Sequence, residues 1–255
     1  MNRRQREAGY PMRNKVPEVT LYFWIIKILA TTVGETAADY LIFNFHLGLS
    51  KTTAIMSVLL AAVLIVQFRT RRCVQSSYWG SVVVLSVVGT LVTDSLVDSY
   101  GVALQTTTWL FGAALVATFA AWYASEKNLS IHSITTRKRE AFYWLAILFT
   151  FALGTAAGDL VAETMKLGYA YSALMFGSLI AGITLAYYGF KLNAIVAFWL
   201  AYILTRPLGA SLGDLLSQPV ANGGLGWGTV GTSGVFLAAI LGLVTYLGMA
   251  QRKPV

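Results

Sequence analysis

The stretch TTVGETAADYLIF, residues 31–43, sets a glycine (Gly34), a small residue four positions later (Ala38) and an aspartate directly after it (Asp39) inside an apolar run of helix length. The arrangement returns three times. It recurs in SVVGTLVTDSLVD at 86–98 (Gly89, Thr93, Asp94), FALGTAAGDLVAE at 151–163 (Gly154, Gly158, Asp159) and RPLGASLGDLLSQ at 206–218 (Gly209, Gly213, Asp214). The glycines are 55, 65 and 55 residues apart, so one shift of 120 carries the first pair of copies onto the second. Self-similarity in register means equivalent structural units, here one unit used four times.

The surroundings of these motifs decide the class. Of 255 residues, 56% are hydrophobic and 12% charged, and a bilayer core of ~30 Å is crossed by ~20 apolar helical residues. Apolar segments at 19–43, 52–68, 78–97, 103–123, 142–163, 172–190, 194–213 and 229–248 each meet that length closely. The expected fold class is all-α: a polytopic membrane protein of eight transmembrane helices, built as four helical hairpin repeats of the same orientation with a duplicated four-helix half. The domain plan that follows is a basic cytoplasmic tail at 1–17, a first repeat pair at 18–125, a cytoplasmic loop at 126–141 and a second repeat pair at 142–250.

Positive charge orients such a bundle, because Lys and Arg near span ends stay cytoplasmic. Arg3, Arg4, Arg6, Arg13 and Lys15 precede span one; Arg69, Arg71 and Arg72 follow span two. Arg137, Lys138 and Arg139 lie between spans four and five, Lys191 between six and seven, and Arg252 and Lys253 after eight. With eight spans all of these fall on one side, so both termini are expected in the cytoplasm. The net charge of +8 could suggest nucleic acid, but the basic residues flank membrane segments and have no folded domain of their own, which argues against that partner and for the lipid bilayer. Cys73 is the only cysteine, which excludes an internal disulfide.

A glycine with a small residue four positions on lets two membrane helices approach closely, so Gly34, Gly89, Gly154, Gly158, Gly209 and Gly213 are read as packing positions. Four odd helices can then surround a common axis. The acids are harder to explain. Seven of the eleven lie in or at the ends of the odd spans: Glu35, Asp39, Asp94, Asp98, Asp159, Glu163 and Asp214. At ~1.5 Å per residue the motif aspartates sit roughly 24–30 Å from the start of each span, near its C-terminal end. There the helix dipole disfavours carboxylates by ~0.3–1 kcal/mol each. A repeated unfavourable choice implies that something positive completes the site, either a cation or protons.

Lys27 and Arg206 each precede an acid on their own helix by eight residues, Glu35 and Asp214, and are read as gating or charge-compensating groups. Two cations leave five of the seven acids uncompensated. Pro207 should kink span seven beside Arg206. The acidic helices offer carboxylates, hydroxyls and carbonyls but no Cys or His, a donor set that suits Mg²⁺, Ca²⁺ or Mn²⁺. Glu35, Asp39, Asp94, Asp159 and Asp214 are therefore the expected metal ligands, with Asp98 and Glu163 as secondary acids; His46, just outside span one, is read as a lone loop histidine unrelated to the site. Hydroxyls at the starts of the even spans, such as Thr52, Thr53, Thr107, Thr108 and Thr232, are expected to cap helices and to donate to nearby carboxylates. Trp24, Trp79, Trp144 and Trp199 are expected as interfacial anchors.

These motifs resemble a known family. KVPEVTLYFWIIKILATTVGETAADY (15–40), FYWLAILFTFALGTAAGDLVAE (142–163) and ILTRPLGASLGDLLSQPVANGGL (203–225) are similar to a widespread bacterial family of uncharacterised membrane-anchored proteins, built from tandem copies of a membrane repeat of unknown function. The likeness spans nearly the whole chain and includes Lys27, Glu35, Asp39, Asp159, Arg206 and Asp214; VVGTLVTDSLVD (87–98) matches more loosely, at Ser95 and Asp98. The resemblance implies a bacterial inner-membrane protein and brings no activity.

From the residues, the expected function is secondary transport of a hard divalent cation with protons as counter-ion, without a resident cofactor or catalytic residues. Clustered carboxylates share protons, and an entering cation would expel them. The alternative is a non-transporting scaffold or lipid-interacting protein whose charges hold the helices in register. A selective channel stays within the transport class. An intramembrane carboxylate-pair enzyme is suggested by Gly158-Asp159 and Gly213-Asp214, but four equivalent sites suit no dyad.

Overall fold

A computed structural model describes residues 14–44 and 47–250. Arg3, Arg4, Arg6, Arg13, His46, Arg252 and Lys253 lie outside the described residues. The described residues form eight long helices: α1 (Leu21–Asn44), α2 (Gly48–Arg69), α3 (Gln75–Asp94), α4 (Leu104–Glu126), α5 (Arg137–Asp159), α6 (Tyr169–Phe190), α7 (Ala194–Ser217) and α8 (Gly228–Ala250). All but α1 are long and apolar enough to cross a membrane; α1 carries Lys27, Glu35 and Asp39 and packs in the middle of the bundle beside the others. The protein is all-helical among its described residues and is a multi-pass membrane protein.

The odd helices form the inside and the even helices the outside. More than half of the apolar windows of α3, α5 and α7 are buried, against less than a quarter in each even helix. Large apolar side chains such as Val58, Trp109, Leu185 and Leu241 stand exposed on the even helices, where lipid would cover them. Inside, α1 packs on α3, α3 on α5, α5 on α7 and α7 back on α1, which closes a four-membered ring around one axis.

The glycines explain why the ring closes. A Cβ added to Gly34 would overlap Ser86, one at Gly89 would overlap Phe151, one at Gly154 would overlap Arg206 and one at Gly209 would overlap Thr31. Each glycine of one repeat thus receives the residue three positions before the glycine of the next repeat. The contact passes once around the ring and returns to its start. Close backbone approach by small residues is what drives membrane helices together in the absence of a hydrophobic difference between helix and lipid.

The hairpin unit expected from the sequence is not the packing unit. Consecutive helices of one repeat touch little; α2 lies chiefly on α3, α4 on α5, α6 on α7, and α8 on α1. Each repeat therefore hands its outer helix to its neighbour, and the eighth helix closes the circle on the first. This interlocking ties all four copies into one body.

The start of the described chain departs from the expected tail at 1–17. Lys15 and Val16 are buried. The Lys15 ammonium bonds Glu140 of α5 at 2.5 Å and donates to the carbonyls of Gln67 and Phe68 at the end of α2, while its backbone N–H donates to Ile134. Lys15 is a structural tie between helices, and not simply a topology signal.

Candidate functional site

Counting from the motif glycine places equivalent residues at one height on the axis. One position after the glycine stand Glu35, Thr90, Thr155 and Ala210; three before it stand Thr31, Ser86, Phe151 and Arg206. The Arg206 side chain, wholly buried, lies along the groove left open by Gly154 and brings its guanidinium to the axis. One nitrogen donates to Glu35 at 2.9 Å, to the Thr155 hydroxyl at 2.6 Å and to the Thr90 hydroxyl; the other donates to the Thr31 carbonyl at 3.0 Å. A single side chain of α7 therefore bonds α1, α3 and α5 together. The pair is buried on both sides, and a guanidinium fork suits such a set of fixed acceptors better than an ammonium.

Lys27 lies seven positions before its glycine and has a different fate. It is fully buried, its ammonium sits 4.2 Å from the centre of the Phe151 ring and 4.3 Å from that of Tyr202, and it makes no hydrogen bond among the described residues. Cation–π attraction of this kind is worth about 2 kcal/mol or more in a desolvated site. The sequence treats Lys27 and Arg206 alike, each eight residues before an acid, yet only Arg206 is bonded to a carboxylate.

Past Lys27 toward the helix starts, the axis is filled by aromatic rings. Ten and eleven positions before each motif glycine stand Phe23-Trp24, Tyr78-Trp79, Tyr143-Trp144 and Phe198-Trp199. Phe23 packs on Trp79 and Phe198, Tyr78 on Trp144, and Tyr143 on Trp199, and the Tyr78 and Tyr143 hydroxyls bond each other at 2.5 Å. Trp79, Trp144 and Trp199 are buried and Trp24 is half-buried, so the expected interfacial anchors are core residues that close this end of the ring. The repeated aromatic dipeptide was the available signal, and it is carried by position relative to the glycine.

In the other direction the axis becomes acidic and opens. Glu35 and Asp214 are buried, Asp39, Asp94 and Asp159 are half-buried, and Asp98 and Glu163 are exposed. Glu35 is an electrostatic neighbour common to Asp39, Asp94, Asp159, Glu163 and Asp214, and Asp98 one of Asp39, Asp94 and Glu163. Asp94 and Asp159 are the last α-helical residues before π turns at Ser95–Ser99 and Leu160–Thr164. A π turn re-aims the side chains at its edge and is common at functional sites. Two repeats use it at the same position.

Among the described residues no three Asp, Glu, His or Cys side chains are arranged to hold a metal ion, so Glu35, Asp39, Asp94, Asp159 and Asp214 share a region without forming a compact oxygen cage. Asp98 and Glu163 stand further out, and Glu163 accepts a bond from the Tyr169 hydroxyl at 3.3 Å. The threonine hydroxyls at the even-helix starts are used locally: Thr52, Thr53, Thr107, Thr108 and Thr232 donate to carbonyls four residues back. Four residues of offset return a hydroxyl to the preceding turn, which competes with any longer reach. Gly158 and Gly213 sit where α5 meets α7 and α7 meets α1, as packing positions.

A family model described as a repeat of unknown function (DUF347) matches residues 22–73, 77–128, 142–192 and 197–253, four copies covering most of the chain. No curated protein and no solved structure matches it. The four glycine motifs, the four aromatic pairs and the four matched segments coincide, and the chain belongs to the family built from this repeat of unknown function.

Proposed function

We propose that the protein is a proton-coupled secondary transporter of a cation, seen with its axial path closed. The observation that carries this reading is the graded acidic end of the ring: seven carboxylates of four repeats, from exposed Asp98 and Glu163 to buried Glu35, with Glu35 paired to Arg206. A lone structural ion pair needs no such approach. A funnel of one sign of charge concentrates counter-ions and feeds them inward. Protons shared among neighbouring carboxylates supply the exchange partner. Among the described residues no three carboxylates are arranged as a cage for a divalent metal, and the cargo is given as a cation of unstated valence. In this reading the basic end faces the cytoplasm of a bacterial inner membrane, with both termini inside.

Reconstitution into liposomes tests it. Saturable cation flux that responds to an imposed pH gradient and is lost in Glu35→Gln is the expected result; absence of any such flux overturns it. A non-transporting scaffold is favoured by a separate observation, the bonding of three helices by Arg206. It predicts that Glu35→Gln alters melting temperature alone, in a protein through which no cation moves.

A further inference from the structure

We infer that the position on the axis filled by the Arg206 guanidinium is the cargo site, and that the cargo is a monovalent cation bearing N–H donors, of the guanidinium or small alkylammonium class. The inference rests on the transport reading and names the substrate of that site.

The pocket is built by three repeats and occupied by the fourth. Glu35, Thr90 and Thr155 hold one register, the residue after the motif glycine, and face the axis together with the Thr31 carbonyl. The fourth residue at that register, Ala210, adds no polar atom, and the guanidinium enters from another register of α7. The acceptors are therefore an independent set, and the arginine is their tethered ligand.

Their chemistry selects the class. Four oxygens, one of them from a carboxylate, offer one formal negative charge in a buried setting. A monovalent cation is balanced there, whereas a divalent one would leave a net charge out of water, which is costly. Hydroxyl, carboxylate and carbonyl oxygens at 2.6–3.0 Å receive N–H donors, and a guanidinium is planar, fork-shaped and more weakly hydrated than an ammonium. The resident ligand is incompletely satisfied: its Nε is buried without a hydrogen-bond partner among the described residues.

The same residue can leave. Pro207 follows Arg206 inside α7, so the Ile203 carbonyl lacks the helical N–H it would otherwise accept, and the helix can bend there. Two cations cannot share Glu35 in this setting. Cargo that descends the funnel and takes Glu35 must release Arg206, which couples loading to movement of α7.

The test uses the full-length protein in detergent with guanidinium chloride at low millimolar concentration as probe, against sodium and manganese chloride at matched ionic strength. Arg206→Ala vacates the site, and guanidinium is expected to raise the melting temperature of that variant by roughly 3–8 °C while sodium and manganese do not. The rise should vanish when Glu35→Gln is added. Equal stabilisation by sodium, or stabilisation that survives Glu35→Gln, overturns the inference. Should Arg206→Ala fail to fold, radiolabelled guanidinium uptake by the unmodified protein in liposomes decides, with Thr155→Val expected to weaken it roughly tenfold through loss of one charged hydrogen bond. Manganese flux without guanidinium flux overturns this assignment and leaves the transport reading standing. Guanidinium-specific stabilisation without flux supports the site and removes transport.

Discussion

The two halves of the central axis are made by the same four helices and differ in almost every physical respect. From the helix starts to Lys27 the ring is filled by interlocking aromatic side chains, several of them wholly buried. From Glu35 to the helix ends it is lined by acids whose exposure increases outward. Between the halves lies a short polar layer in which one arginine meets three helices. A filled aromatic half resists movement because close-packed rings have few alternative arrangements. A half lined by mutually repelling carboxylates is held together only by what neutralises it. The difference teaches where to look for adaptability: at the layer of Arg206 and beyond it, with the aromatic half as a fixed stop.

Substitutions can break or sharpen this contrast. Gly154→Leu should act most strongly, because the new side chain would take the track of the Arg206 stem and both overpack the ring and break the central ion pair; about 4 kcal/mol or more of stability should be lost, seen as failure to give a monodisperse folded peak on size-exclusion. Glu35→Gln leaves the buried guanidinium without its counter-charge and should cost about 3–5 kcal/mol in thermal or denaturant unfolding. The paired change Glu35→Leu with Arg206→Met should cost less than Glu35→Gln alone, since it removes both charges; a greater loss would show that the polar layer itself holds the ring.

In the aromatic half, Tyr78→Phe deletes the hydroxyl bond to Tyr143 and leaves that oxygen buried, for an expected loss of about 1–3 kcal/mol with no change in cation flux. A large flux defect would contradict the picture of this half as a fixed stop. Asp39→Asn, half-buried in the funnel, should change stability by only about 0.5 kcal/mol yet slow cation uptake, most visibly at low ionic strength, where exposed charge steers best. Cys73, on the connection between α2 and α3, should be alkylated slowly at neutral pH. Burial pushes its thiol up to about 11, so the thiolate is scarce at neutral pH and alkylation should accelerate continuously as pH rises toward that value.

Much of this architecture was legible in the residues. The small-xxx-small spacing marked the odd helices as the inner ones, because a glycine followed by Ala38, Thr93, Gly158 or Gly213 has no other use in an apolar helix than close packing. The acids marked which end of the ring is polar. Other features were written in the chain but need a partner to be read. Phe23-Trp24 and its three equivalents look like interfacial anchors as isolated aromatic pairs, and only the ring shows them meeting across the axis. Lys15 looks like one more topology charge, and nothing nearby in sequence points to Glu140, which is 125 positions away.

The sequence by itself determined the number of helices, their register and the fourfold repetition, because hydropathy, helix period and small-residue spacing act over a few turns of one chain. Tertiary structure alone decided the neighbours: that each outer helix leans on the next repeat, that Arg206 reaches Glu35 while Lys27 is caged by rings, and that the aspartates approach without closing on an ion. Those outcomes depend on how far each helix is rotated about its own axis when the glycines let the ring close, and rotation is a property of the assembled bundle that no single segment encodes.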